Sequence, residues 1–442
     1  MQHLDEARHA AISVLRELIG SDPRIERAAL VDDLFGNLRV AVWTQSEHWD
    51  HVRQIIDEAM KHARAIGRYW SGEIWRGTGG TEADQLIYEA AWQNASQVED
   101  SPRLRVADRY RNRGAWFVSL PEAPWRSPAV EPGGGPPIIV FYSFKGGLGR
   151  STAIASFAIQ QARQGQRIVV VDFDLDAPGV GSLLAADTSG AISSWGVVDY
   201  LLERPHGSIE LADYYHACRR EAVTGSGEIL VFPTGRLNAD YLAKLARVDL
   251  EPAPPELAAH PALMLLQEIK AELEPHWLLL DARAGLSEPA GLLLAGLAHL
   301  HVLFGAASEQ SWNGLRLVIH RLGATRVSAD RPQAECVLVQ SMVPRETNVA
   351  STAIAAFAER ARDEFTEHYY AEDPTDPTDE RFWYVRDAES EDAPHVSTPL
   401  SYDSRLAHFR LIDEIANDLA TTPEYVALGR RISERFVLEP IE

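Results

Sequence analysis

The stretch "IIVFYSFKGGLGRST" at residues 138–152 constrains the fold of this chain more than any other. An apolar run, typical of a buried strand, leads into three glycines, and helix-forming residues follow. In βαβ units, ligands bind in loops of this kind beyond the carboxyl ends of the strands. The glycines allow backbone N–H groups to face a polyphosphate, and the start of the next helix adds partial positive charge. The stretch therefore predicts a strand, a phosphate-binding loop and a helix that begins at about Arg150.

Apolar runs and helical segments alternate through the rest of the chain. The runs are "QRIVVVDFDLD", "EILVFP", "HWLLLDA", "LHVLFGA" and "AECVLVQSMV". Nearly continuous apolar strands between helices are typical of a parallel sheet that is covered on both faces. We therefore predict an α/β fold, a doubly wound, mostly parallel sheet of the P-loop NTPase kind, over residues 138–442.

The segment "PEAPWRSPAVEPGGGPP" at 121–137 is dense in proline and glycine, which predicts a linker. Residues 1–120 before it predict a small, tryptophan-rich α/β accessory domain. Ser46 is expected to be the N-cap of an amphipathic helix in "SEHWDHVRQIIDEAMKHARAIG". Seven of the eleven tryptophans precede position 126, either as a compact core or as an aromatic recognition surface for a partner.

Composition and charge exclude several classes of protein. The two cysteines, Cys218 and Cys336, provide neither a disulfide framework nor a cysteine-based zinc site. The first twenty residues carry charges throughout, unlike a signal peptide. The apolar stretch at 291–307 is interrupted by two histidines, which favours a helix followed by a buried strand over an integral membrane segment. A cytoplasmic location is expected.

The formal net charge of −22 disfavours a general affinity for nucleic acid, which carries the same sign. One basic stretch, "RLRVADRYRNR", departs from this average. It is either a solvated face paired with nearby acids or a site for phosphates or an acidic partner. Its arginines are Arg103, Arg105, Arg109, Arg111 and Arg113.

Two further strand ends carry carboxylates. Asp172, Asp174 and Asp176 follow the strand in "RIVVVDFDLDAPG", and all three would point to one face if that strand continued straight. Asp281 ends the strand in "HWLLLDARAGLSE", and Gly285 follows it. Adjacent carboxylates repel one another unless cations or donors compensate, so they suggest a Mg²⁺–nucleotide neighbourhood. The alternative, that these acids only cap their strands, remains open at this point.

The strict phosphate-loop pattern G-x-x-x-x-G-K-[ST] has two exceptions here, Phe144 and Arg150. The segment "KGGLGRST" instead resembles the motif K-G-G-x-G-K-[ST]-T of the ParA/MinD group of P-loop ATPases, often called the deviant Walker A motif. It is most similar to a branch with K-G-G-x-G-R. Arginine has the same charge as lysine and can bind two phosphate oxygens through two N–H groups, so nucleotide binding is expected to be retained. Whether the geometry needed for hydrolysis is also retained is left open.

This resemblance implies roles for individual residues. Lys145 would reach the phosphates of the nucleotide in the opposite subunit of a face-to-face homodimer, and Asp174 would position the attacking water. Ser151, Asp172 and Asp281 would serve Mg²⁺, with Asp281 acting through water, and Gly285 would sense the γ-phosphate. The loop residues that would bind the nucleotide are Gly146, Gly147, Leu148, Gly149, Arg150, Ser151 and Thr152.

The resemblance also implies the base and the ligand. Gln340 and Ser341 stand where many members carry an asparagine that recognises the base, and "STPLSYDSRLA" at 397–407 resembles the segment near the purine. ATP with Mg²⁺ is the ligand expected from the group.

Two functions follow from these observations. The first is a slow, dimerising ATPase that switches a protein partner, with residues 1–120 facing that partner. The second is a nucleotide-gated sensor or adaptor with negligible turnover, which Arg150 in place of lysine favours. Members of the K-G-G-x-G-R branch resemble parts of multi-component regulatory or phage-defence systems.

Overall fold

The chain divides into two compact units, Met1–Asn112 and Arg113–Glu442. The computed structural model describes residues 3–33, 36–79, 81–93, 95–98, 100–107, 116, 123–129, 131, 133–250, 260–294, 296–328, 335–376, 378–379, 381–406 and 408–436. Residues of the predicted linker 121–137 fall in the second unit. Among them, Trp125 is buried, and its indole N–H donates to the Pro136 carbonyl at 2.7 Å. The Trp125 side chain shares a core with Ile138 and Val140 of the strand that follows, so this part of the proline-rich segment is packed against that domain.

The first unit is a five-stranded mixed sheet with helices. The strands run in the order β3-β2-β1-β5-β4, in which β1 pairs in parallel with β5 and antiparallel to β2. Its helices are α1 (Leu4–Ser21), α2 (Trp49–His62) and α3 (Glu82–Gln93), and its strands are β1 (Arg27–Asp32), β2 (Leu38–Trp43), β3 (Trp70–Arg76), β4 (Ser96–Val98) and β5 (Ser101–Ala107).

Two of the early tryptophans form part of this unit's core. Trp43 and Trp92 are buried and meet edge to face, with ring centroids 5.4 Å apart. The Arg27 guanidinium lies 4.4 Å and 4.6 Å from their centroids, which adds cation–π attraction. These contacts favour the core interpretation of the tryptophans over an exposed aromatic surface.

The basic stretch is structural where it is described. Arg103 donates to the Ile25 carbonyl at 3.1 Å, and Arg105 donates to the Trp92 carbonyl at 3.0 Å. Both guanidinium groups therefore complete backbone hydrogen bonding within the first unit. Arg109, Arg111 and Arg113 lie outside the described residues.

The predicted helix cap at Ser46 is wrong. A short 3₁₀ turn covers Ser46–His48, and α2 begins at Trp49 without a side-chain cap. The Ser46 hydroxyl instead accepts a hydrogen bond from Arg76 of β3. The Ser46 hydroxyl oxygen therefore binds the distant Arg76 and not the backbone N–H groups of the helix start.

The second unit contains an eight-stranded sheet in the order β13-β12-β11-β6-β10-β7-β9-β8. All neighbours are parallel except β8 and β9, which confirms the predicted doubly wound fold. The strands are β6 (Ile138–Ser143), β7 (Arg167–Phe173), β8 (His216–Cys218), β9 (Glu228–Phe232), β10 (Trp277–Ala282), β11 (Leu300–Gly305), β12 (Glu335–Val343) and β13 (Thr398–Ser401). The α-helices are α4 (Arg150–Arg163), α5 (Val180–Leu183), α6 (Val197–Glu203), α7 (Glu221–Thr224), α8 (Tyr241–Leu245), α9 (Pro261–Glu268), α10 (Glu288–Leu294), α11 (Glu309–Ser328), α12 (Thr347–His368), α13 (Ala416–Thr421) and α14 (Pro423–Glu434).

Both faces of this sheet are buried, as continuous apolar strands require. Alternate residues of β6 belong to two different cores: Ile138 and Val140 pack on one face, and Ile139 and Phe141 pack on the other with Phe157 of α4. The central strands β6, β10 and β11 are buried along their whole length. This rigid centre positions the loop between β6 and α4.

The apolar stretch at 291–307 forms the end of α10 and the strand β11, as predicted. No helix within the described ranges is long and apolar enough to cross a membrane. The two histidines that interrupt the stretch are buried parts of the fold. His299 accepts the Ile138 N–H through Nδ1 at 3.0 Å and donates through Nε2 to the Trp125 carbonyl at 2.8 Å.

Burial lowers the pKa of His299 and that of His301 to about 4 each, because the charged imidazolium would lose its hydration. For both histidines the pKa is lower in the folded protein than in the unfolded chain. The free energy of unfolding is therefore undiminished by their titration above about pH 6.5, and it decreases as the pH falls toward 4. We expect His301→Phe to reduce the slope of unfolding free energy against pH by about 1.4 kcal/mol per pH unit between pH 6 and 4.5. Urea unfolding at several pH values measures this slope, and the exposed His206→Phe is the control. An unchanged slope in His301→Phe would contradict the prediction.

Candidate functional site

The loop between β6 and α4 has the backbone of a phosphate-binding turn. The strand ends at Ser143 and α4 begins at Arg150, as predicted. Gly147 and Gly149 have φ values of 76° and 83°, in the left-handed region that L side chains rarely adopt. The Ser143 hydroxyl donates to the Lys145 carbonyl at 2.7 Å and closes the turn. Glycine is therefore needed at two of the predicted nucleotide-binding positions for conformational reasons.

Phe144, the first exception to the strict motif, has a structural explanation. A Cβ atom added at Gly314 of α11 would lie 2.0 Å from the Phe144 ring, so this ring packs directly on the helix backbone. The aromatic side chain thereby packs the loop against α11. The strict motif has glycine at position 144, and the ring that occurs there instead fits because residue 314 of α11 is glycine.

We expect Gly314→Ala to lower the free energy of unfolding by about 1–3 kcal/mol, because the new methyl group overpacks the contact with Phe144. The variant Phe144→Ala/Gly314→Ala should recover part of that loss, since the smaller side chain makes room for the methyl group. Urea unfolding of wild type, both single variants and the double variant measures the coupling. Strictly additive losses would show that the two residues do not share this contact in solution.

The strand register brings the predicted carboxylates to the loop. Asp281 of β10 lies opposite Phe141 of β6 on one side and opposite Asp172 of β7 on the other. The Ser151 hydroxyl, in the first turn of α4, donates to Asp281 Oδ2 at 2.7 Å. Burial raises the pKa of Asp281 to about 6, and the Arg150 charge opposes this shift. The predicted pair Ser151 and Asp281 is thus in direct contact.

Asp172 is fully buried and bound by backbone groups. Its Oδ1 accepts the Asp174 N–H at 3.1 Å, and its Oδ2 accepts the N–H groups of Gly179 and Gly181 at 3.2 Å and 3.3 Å. Burial, together with the charge of Asp281, raises its pKa well above the usual value. In this arrangement the Asp172 carboxylate fixes the segment that leads into α5, and its service to Mg²⁺ stays a prediction.

Because β7 ends at Phe173, the alternation of a straight strand does not extend to Asp174 and Asp176. Asp174 turns back toward α4, whereas Asp176 forms an ion pair with Arg283, which follows β10. No role for Arg283 was expected from the sequence pattern. It links the segment after β7 to the segment after β10, and only the neighbouring positions of these strands reveal it.

Arg150 is turned toward the sheet. Its Nη2 donates to Asp174 Oδ2 at 2.7 Å, and its Nη1 donates to the Ser143 hydroxyl at 3.3 Å. Its Nε lies 3.2 Å from Asp281 Oδ1. The side chain is 8% exposed, and in this position it contacts the carboxylates that were predicted to serve water and metal. The phosphate contact predicted for Arg150 stays a prediction.

Lys145 and Gly146 present a different surface. Gly146 is exposed and Lys145 is partly exposed, and within the described residues the Lys145 ammonium group has no hydrogen-bond or ion-pair partner. Gly285 lies beneath the loop, with φ at 79°, and its N–H donates to the Ser143 carbonyl at 3.2 Å. The role of Lys145 toward a second subunit stays a prediction.

A cavity of about 340 Å³ opens beside the loop, within the size range of small-molecule sites. Its far wall comes from the two segments that the sequence placed near the base. Ser341 donates to the Leu148 carbonyl at 2.9 Å and thereby joins β12 to the loop. The lining residues include Gly147, Leu148, Gly149, Arg150, Ser151, Thr152, Ser341, Met342, Leu400, Tyr402, Asp403 and Leu406.

The donor set fits a Mg²⁺ ion that arrives with a polyphosphate. Asp281 Oδ1 is buried without a hydrogen-bond partner, because the nearby Arg150 Nε is not aligned with it. Ser151 adds a hydroxyl oxygen. The described residues contain no group of three or more His, Cys, Asp or Glu side chains that would hold a metal alone. Mg²⁺ commonly takes one or two protein oxygens and completes its shell with phosphates and water, which agrees with this set.

The chain resembles the ParA/MinD-like P-loop ATPases in fold. McdA from Cyanothece, solved in complex with ATP, is 12% identical over 70% of this chain and 100% of its own, with a TM-score of 0.44. pNOB8 ParA bound to nonspecific DNA is 15% identical over 68% and 98%, with a TM-score of 0.41. The Pyrococcus furiosus cell division ATPase MinD is 15% identical over 67% and 98%, with a TM-score of 0.39.

No protein-family model and no curated protein matches the sequence. Identities of 12–15% concern the fold alone and say nothing about activity. What this chain binds therefore has to be argued from its own residues.

Proposed function

We propose that this chain binds Mg-ATP, dimerises across the nucleotide and hydrolyses ATP slowly, acting as a switch for a protein partner. The observation that carries the proposal is the hydrogen bond from Ser151 to Asp281 at the mouth of a glycine-turned loop. A hydroxyl at the start of a helix and a carboxylate at the end of the neighbouring strand form the usual oxygen donors beside a bound polyphosphate.

The phosphates would lie along the backbone N–H groups of the loop and at the N-terminus of α4. Mg²⁺ would supply charge neutralisation there, held by the Ser151 hydroxyl and, through water, by Asp281. Asp174 would orient the attacking water once it is released from Arg150. Lys145 would reach across a two-fold axis to the phosphates of the other subunit, where a cation offsets charge that builds up on the γ-phosphate.

We propose adenine as the base. Among the described residues that line the cavity, Asp403 has the carboxylate that would suit the donor edge of guanine. Asp403 is already engaged, because Arg405 binds both of its oxygens and Arg345 lies 2.6 Å from Oδ2. These contacts hold the pKa of Asp403 at about 2. A neutral, partly apolar wall of Met342, Leu400 and Tyr402 remains for the ring.

The second candidate function is a nucleotide-gated sensor or adaptor without significant turnover. The inward position of Arg150 favours it, because a guanidinium bonded to Asp174 withholds that carboxylate from water. In either case residues 1–120 are proposed to face the partner, and the resemblance of the loop to the K-G-G-x-G-R branch is the support for a regulatory or phage-defence setting.

The deciding experiment measures ATP turnover against protein concentration, with Mg²⁺ present and bound nucleotide quantified in parallel. Activity per subunit that rises with concentration supports a site completed across a dimer. Saturable ATP binding without turnover supports the sensor. Binding of neither ATP nor GTP at millimolar concentration would overturn both candidates, and preferential retention of GTP would overturn the assignment of adenine.

A further inference from the structure

Arg150 makes contacts within the protein in addition to the phosphate contact predicted for it. Its guanidinium reaches groups at the ends of three adjacent strands: Ser143 on β6, Asp174 after β7 and Asp281 on β10. The side chains of Arg150 and Asp174 are each 8% exposed, and that of Asp281 is 1% exposed. A planar, permanently charged guanidinium spreads five N–H donors over three nitrogen atoms, whereas the three donors of a lysine ammonium radiate from one atom and span a smaller distance.

The charges in this region explain why such a group is needed. Three backbone N–H groups bind the Asp172 carboxyl group, whereas the carboxylates of Asp174 and Asp281 both lie against the guanidinium of Arg150. Arg150 is the cation in contact with both of them among the described residues. Carboxylates that are removed from water without a counter-charge strongly disfavour further negative charge nearby, including that of ATP.

We propose that Arg150 is a built-in counter-cation that performs in this chain part of the charge balance for which P-loop sites depend on Mg²⁺. The inference rests on the proposed function, because it concerns nucleotide binding at the same loop. Its consequence is that ATP binds nearly as well without Mg²⁺ as with it. Arg150 is then a positioning residue that holds Asp174 and Asp281 in place.

The first test compares ATP affinity in Mg²⁺ and in EDTA, by titration with a fluorescent ATP analogue. Wild type should lose no more than about threefold on removal of Mg²⁺, whereas Arg150→Lys should lose about 30-fold or more, since donors on a single nitrogen span less than the Nη2 and Nε groups that face Asp174 and Asp281. Arg163→Lys is the matched control, because Arg163 lies at the other end of α4 and donates to the Ala222 carbonyl. It should behave as wild type.

The outcomes separate the two proposals. A 30-fold loss in wild type, or equal Mg²⁺ dependence in wild type and Arg150→Lys, overturns the counter-cation. Failure of wild type to bind ATP under either condition overturns the proposed function itself.

A second readout needs no nucleotide. Arg150→Met should lower the melting temperature, and Asp174→Asn in the same chain should restore part of that loss by removing one of the unbalanced charges. Additive losses would overturn the inference. If Arg150→Met does not fold, recovery of a folded protein in Arg150→Met/Asp174→Asn supports it, and failure of both variants leaves the decision to the affinity ratio of Arg150→Lys.

Discussion

Replacement of Asp174 by alanine is expected to lower ATP turnover by about 10²–10⁴-fold while ATP affinity stays within about threefold of wild type. The carboxylate is the proposed group that orients water, and it lies after β7, where it accepts a hydrogen bond from Arg150. Phosphate contacts by backbone N–H groups do not depend on it. Steady-state phosphate release and equilibrium binding of an ATP analogue measure the two quantities separately.

Asp187→Ala is a suitable control for this prediction. Asp187 lies in the same connection between β7 and α6, is exposed, and its carboxylate accepts hydrogen bonds from its neighbour Ser189. It should turn over ATP at the wild-type rate. Equal residual rates in wild type, Asp174→Ala and Asp187→Ala would instead mean that the measured hydrolysis does not use this site, and the sensor would then be the better description.

The positions of the acids were predictable because they depend on the backbone. Apolar runs fix where β7 and β10 end, and parallel neighbours put their carboxyl ends at one edge, so Asp172 and Asp281 had to lie near the loop. The same reasoning placed Ser151 at the first turn of α4. The apolar strand patterns and the position of the glycine-rich turn were therefore sufficient to predict where these three residues lie.

Side-chain directions were not predictable in the same way. The phosphate contact of Arg150 stays a prediction, and what the sequence did not indicate is that its side chain also meets Asp174 and Asp281, which lie at the ends of two strands distant in sequence. The ion pair of Asp176 with Arg283 depends on the same strand order. No local sequence pattern shows which partner such a side chain binds, because the possible partners come together only when the sheet has formed.

Phe144 shows a third case, in which an exception to a motif is explained by a residue elsewhere. Nothing near Phe144 indicates why a glycine is absent there. The reason is Gly314, which lies 170 positions later on α11 and leaves space for the ring. Trp125, within the predicted linker at 121–137, has a similar long-range contact, since its carbonyl accepts a hydrogen bond from His299.

A mixture of two inactive variants is expected to regain activity if Lys145 acts across a dimer. Lys145→Ala should lose about 10³-fold or more in turnover, as other P-loop enzymes do without the cation supplied in trans. Asp174→Ala is inactive for its own reason. In a heterodimer of the two, one site combines the intact Asp174 of the first subunit with the intact Lys145 of the second.

Random pairing of equal amounts makes half of the dimers heterodimers, each with one complete site of two, so about a quarter of wild-type activity should return. If Lys145 acted within its own subunit, each site of the heterodimer would lack one group and the mixture would stay inactive. The partly exposed ammonium group of Lys145, unpaired within the described residues, is free to act on a second molecule, whereas Arg150 is held inside. The two basic residues of the loop would thus divide the work: Arg150 balances the carboxylates of its own subunit, and Lys145 completes the site of the other.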